Sequence, residues 1–107
     1  MIFKNIKQVD EHYKYPMSYR MGSIYDDKGI IRIYSNGKKG DYETDKYFYY
    51  KLKNKQVKER FQNNIKNKKK VRLIVKVENG VKDRGLLEVK GFFNGFVRIF
   101  KTSKHAP

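Results

Sequence analysis

The chain has no cysteine, no tryptophan, two prolines, and only 11 acidic residues against 26 basic ones. Without cysteine there can be no disulfide staple, zinc ribbon or thiol nucleophile, a pattern that fits a reducing cytoplasm. Two histidines alone cannot complete a standard structural zinc site. No run approaches the roughly 20 apolar residues that cross a bilayer, so no membrane association is expected. The N-terminal stretch MIFKNIKQVDEHY lacks an apolar core and carries Asp10 and Glu11, unlike a secretory signal. The few acids near glycine, namely Asp26, Asp27, Asp41, Glu43 and Asp45, have the chemistry of turn formers and helix caps and match no EF-hand. Gly37-Lys38-Lys39-Gly40 lacks the spacing of a phosphate-binding P-loop. Neither a metal nor any other cofactor is expected.

What is present is charge and aromatic rings. At 107 residues there is room for one domain with one core, spanning 1–107, with a frayed tail from about residue 103. Hydrophobic residues make up only 38% of the chain, but 9 Tyr and 7 Phe supply large buried areas per residue. The formal net charge is +15. A folded domain that repels itself to this degree calls for a compensating polyanion. The abundance of Lys, Asn, Ile and Tyr, residues with AT-rich codons, points to an AT-rich bacterial genome or to a phage or mobile element within one.

Hydrophobic spacing predicts an amphipathic helix over 2–13, with Ile2, Ile6, Val9 and Tyr13 on one face, ended at Tyr15-Pro16. MGSIY and GIIRIYS flank Asp26-Asp27-Lys28-Gly29 and read as a hairpin. Residues 36–45 form a polar loop, and Lys46 to Leu52 an aromatic strand. Val57, Phe61 and Ile65 recur every four residues and predict a helix over 54–67. VRLIVKV alternates cleanly, and strands over 84–91 and 95–102 complete an antiparallel meander with Asn-Gly at both turns, Asn79-Gly80 and Asn94-Gly95. The order strands, helix, strands, without βαβ alternation, predicts an α+β fold: an antiparallel sheet or small half-open barrel of about five to six strands with one or two short helices.

Charge is concentrated in the second half, which carries nearly all of the net excess. Between Lys51 and Arg72 lie Lys51, Lys53, Lys55, Lys58, Arg60, Lys66, Lys68, Lys69, Lys70 and Arg72, opposed only by Glu59. A helix that buries Val57, Phe61 and Ile65 turns most of these cations outward together, the footprint of phosphate binding. Lysine outnumbers arginine 20 to 6, and lysine acts as a point charge on phosphate, whereas guanine reading is arginine work. Backbone contact with modest sequence specificity is therefore expected. On the last strand Phe96, Arg98 and Phe100 share one face, as stacking on unpaired bases requires. Lys90-Gly91-Phe92 is separated from Gly95-Phe96-Val97 by two residues, which breaks the register of the RNP1 motif.

These features predict a non-enzymatic nucleic-acid-binding domain, for DNA or RNA, whose basic helix and C-terminal strands contact phosphate. Two other functions fit the composition. A small metal-independent ribonuclease of the toxin type would draw on His12, Tyr49, Arg98 or the Glu11, His12, Arg20 group. A phage-encoded inhibitor or accessory protein would dock on an acidic protein or nucleoprotein complex.

Overall fold

A computed structural model describes residues 2–16, 23–25 (main chain only), 29–37 and 40–101. Within them lie nine strands and two helices, an α+β architecture as the order of elements implied. The first sheet is formed by β1 (Ile2–Phe3), β2 (Ser23–Tyr25), β3 (Ile31–Ser35), β6 (Val71–Val77) and β7 (Gly80–Leu87), in the order β1-β7-β6-β3-β2. The second contains β4 (Tyr42–Glu43), β5 (Tyr47–Lys51), β8 (Val89–Phe93) and β9 (Phe96–Phe100), in the order β4-β5-β9-β8. Every pairing is antiparallel except β3 with β6, whose crossover carries β4, β5 and helix α2 (Lys55–Lys66). Neither sheet closes into a barrel. The strands outnumber the expected five to six because several are two or three residues long, too short to leave a period-2 signal.

Helix α1 is Ile6–Tyr13, four residues shorter than the hydrophobic spacing predicted. Asn5, in extended conformation, accepts the Gln8 amide through its side chain, and Gln8 in turn accepts the Lys4 amide. These two bonds start the helix at Ile6. Ile2 and Phe3 are instead captured by the edge of β7, which leaves Ile2 62% exposed. The close approach of this strand explains Gly80: a Cβ there would lie 2.1 Å from the carbonyl oxygen of Phe3. The β6–β7 turn falls on Glu78 and Asn79, since Val77 pairs with Gly80. At Asn94-Gly95, by contrast, both residues have positive φ (51° and 83°), the two-residue hairpin turn that the dipeptide favours.

The predicted strand over 84–91 is divided between the two sheets. β7 and β8 are separated by Glu88 alone, and each carries a register shift and a glycine of positive φ, Gly85 and Gly91. An inserted residue bends a strand and increases its twist, and here it lets one continuous stretch leave the first sheet and enter the second.

The main core lies between the sheets: Ile31, Ile33, Val71, Leu73 and Leu87 from the first, Phe48, Tyr50, Val97 and Ile99 from the second, and Phe61 from α2. A smaller cluster of Val9, Ile74 and Val81 packs α1 on the opposite face of the first sheet. There Arg32 and Asp10 form a bidentate pair, Nε to Oδ1 at 2.8 Å and a terminal nitrogen to Oδ2 at 2.6 Å, with side chains only 1% and 5% exposed. The layers are therefore α1, first sheet, core, second sheet.

Burial pushes the Tyr50 phenol up to about 12. The folded state thus holds this proton more tightly than the unfolded chain, in which tyrosine titrates near 10. The resulting stabilisation is complete below about pH 10 and is lost as pH rises toward 12. Denaturant titrations of the wild type should show a fall in stability across that window, and Tyr50→Phe should remove part of it.

Candidate nucleic-acid interface

Helix α2 begins at its N-cap Asn54, whose side chain accepts the Val57 amide at 2.9 Å. Phe61 enters the core and Val57 packs against it, as the periodicity implied, but Ile65 is 38% exposed. The buried position is Asn64, one residue earlier. Its carbonyl accepts the Lys69 amide at 2.9 Å, and its side-chain amide donates to the Lys70 carbonyl at 3.2 Å. Lys68 takes up a left-handed conformation, φ 55°, and its amide donates to the Ile65 carbonyl. The three lysines that leave α2 are thus fixed through their main chain, with all three side chains exposed.

Lys51, Lys53, Lys55, Lys58 and Lys66 are also exposed, and Arg60 is half-buried. Lys53 and Lys58 lie 5.6 Å from the rings of Tyr50 and Phe92, respectively. Their stems cover apolar surface while their charges remain in solvent. Arg72 is engaged differently: it binds Asp83 at 2.9 Å and lies 3.7 Å over the ring of Tyr13, on the α1 side of the first sheet. Tyr13 donates a hydrogen bond to the same carboxylate. Burial, then this bond, raises the Tyr13 phenol above its ordinary value.

At the other end of β6 a cleft of about 520 Å³ opens between the sheets, with Ser35, Asp41, Tyr42, Glu43, Lys82 and Arg84 in its walls. Ser35 donates to Asp41 at 2.6 Å, and the other oxygen of Asp41 accepts the Lys51 amide at 2.7 Å. These bonds hold the segment before β4 against the end of β3. Glu43 pairs with Lys101 at 2.9 Å and with Arg84 at 3.3 Å. The Lys101 hydrogen bond holds the Glu43 carboxyl below its ordinary value. The cleft went unseen in the sequence because its walls come from several separate strands and loops; the only local signal was the polar segment 36–45.

Phe96, Arg98 and Phe100 do share one face of β9, the outer face of the second sheet, while Val97 and Ile99 point into the core. The Arg98 guanidinium lies 4.8 Å over Tyr47. Tyr49 is directly paired with Arg98, but His12 lies on α1, against Phe3 and Tyr13, beyond the first sheet. The fold therefore does not bring these three together. Arg20, Asp26, Asp27 and the tail from 103 lie outside the described residues. Among the described residues no group of three acids or histidines is placed to hold a metal, and no helix is long and apolar enough to cross a membrane.

No sequence family and no curated protein matches the chain. Solved structures do. The fold is similar to that of SUVH5 SRA in a crystal structure with methylated CHH DNA, with a TM-score of 0.61 and 19% identity over 94% of this chain and 83% of that one. A complex of SUVH5 SRA with fully methylated CG DNA gives a TM-score of 0.60 and 20% identity over the same shares.

Proposed function

We propose that this chain is a DNA-binding domain that grips the phosphate backbone through Lys51, Lys53, Lys55, Lys58, Arg60, Lys66 and the lysines 68–70, with Arg98 contributing from the C-terminal strands. The observation that carries this reading is the run of outward-facing cations along and beyond α2, opposed only by Glu59. Cations held on an ordered surface neutralise phosphates and release counterions, which supplies sequence-independent affinity. The shared fold with SUVH5 SRA, whose solved complexes contain methylated DNA, supports DNA over RNA as the ligand and methylated duplexes as the first to be tested.

The cleft adds discrimination to this affinity. Its carboxylates at Asp41 and Glu43 disfavour phosphate, but Oε1 of Glu43, the oxygen that Lys101 and Arg84 do not hold, can accept from the exocyclic amine of cytosine. With Lys82 and Arg84 beside these acids, the cleft suits a base extruded from the duplex, its phosphates held outside.

Fluorescence anisotropy with labelled duplexes, methylated and unmethylated, across a salt series tests both parts. Neutralising about six phosphates gives a log–log salt slope near −5. Methylated duplex is expected to bind more tightly at every salt concentration. A flat salt response, or no binding at low salt, would overturn the DNA-binding reading and direct attention to an acidic protein partner.

A further inference from the structure

The outer face of the second sheet has no covering element among the described residues. Across its four strands it carries Tyr42, then Tyr47, Tyr49 and Lys51, then Phe96, Arg98 and Phe100, and finally Phe93. Register places Tyr47 opposite Phe100, Tyr49 opposite Arg98, and Phe93 opposite Phe96. The rings form one connected array: Tyr42 stacks on Tyr49 at 4.5 Å, and Tyr49 meets Phe93 and Phe96 at 6.1 and 6.3 Å. Phe93 remains 48% exposed and Tyr42 42%. Arg98 sits within the array over Tyr47, its Nε buried without a hydrogen-bond partner.

We propose that this face is a stacking surface for unpaired bases of a single strand, separate from the cationic helix. The proposal rests on the polyanion reading above and names a second form of ligand. The rings suit unpaired bases, and the charge among them selects a polyanionic strand. Every large apolar side chain on the face is an aromatic ring, with Tyr49 buried among its neighbours and Tyr42 and Phe93 exposed on either side, so the surface presents flat π faces on which bases can stack. Its charges are cationic: Arg98 and Lys51 stand on it, whereas Lys90, 5.4 Å over Phe100 at its edge, is paired with Glu88. The adjacent carboxylates Glu43 and Glu88 are each paired with a cation. Rings that accept bases, interleaved with cations that meet phosphates, are the combination that single strands require.

The test uses Phe93, an exposed ring with no part in the cationic helix or the cleft. Phe93→Ala and Phe93→Leu leave net charge unchanged, and the second keeps apolar volume while removing the ring. Anisotropy titrations would compare a labelled oligo-dT with a duplex of equal length, and circular dichroism would monitor the fold. Both variants are expected to bind the single strand about tenfold more weakly, with duplex affinity unaltered. Unchanged single-strand affinity would overturn the proposal, as would a wild type that binds duplex but no single strand, an outcome that leaves the DNA-binding reading standing. A wild type that binds neither overturns both. Self-association abolished by the same substitutions, with strand binding intact, would overturn the stacking surface and assign the face to a second copy of the chain.

Discussion

Asp10→Ala is expected to destabilise the domain by about 3–5 kcal/mol, because it takes away the carboxylate that neutralises a guanidinium only 1% exposed. Domains of this size are stable by roughly 5–15 kcal/mol, so this single change removes a large part of the total. It should appear as a fall in midpoint temperature of about 15 °C or more in calorimetry. The pair is the fastening between α1 and β3, and its removal leaves the Val9, Ile74 and Val81 cluster and the contact of Tyr13 with Asp83 and Arg72 to hold the helix. The double change Asp10→Leu with Arg32→Met supplies the control. Replacing both members of a buried pair by apolar groups of similar volume is often close to neutral, so most of the stability should return. A single variant that unfolds within a few degrees of the wild type would show that the pair contributes little.

Reversing Lys68, Lys69 and Lys70 together to Glu is expected to weaken duplex binding by about a hundredfold or more at low salt. The salt slope should shrink by about three, one for each phosphate no longer neutralised. Net charge falls only from +15 to +9, so a strongly basic protein remains, and the weaker affinity would report position rather than total charge. Folding should be unaffected, because Asn64 and Ile65 hold this turn through the main-chain groups of Lys68, Lys69 and Lys70 and not through their side chains. Thermal unfolding and duplex titration on the same preparation separate the two effects. If affinity and slope both survive, the cations near the cleft, Lys76, Lys82 and Arg84, become the principal phosphate ligands.

Much of this molecule follows from local rules of sequence. The α+β class, helix α2, the alternation of β6 and the turn at Asn94-Gly95 each rest on periodicity or turn chemistry within a dozen residues. So does the division of β9 into a core face and an aromatic–basic face, because side chains alternate along any strand. The charge asymmetry that motivates the functional reading is a property of composition, which folding redistributes but cannot change. Other features depend on partners distant in the chain. Ile2 fits a helical stripe equally well, and only the edge of β7 turns it and Phe3 into a strand. Arg72 looked like one more cation of the basic segment until Asp83 and Tyr13 claimed it, and Asp10 gave no sign of its pairing with Arg32, 22 residues away. The bends near Gly85 and Gly91, the parallel pairing of β3 with β6, and a cleft built from separate strands are decided by how two sheets share one stretch of chain. Short-range preferences choose helix, strand and turn; which charges are buried as pairs and which are left to meet a ligand is settled when the layers pack.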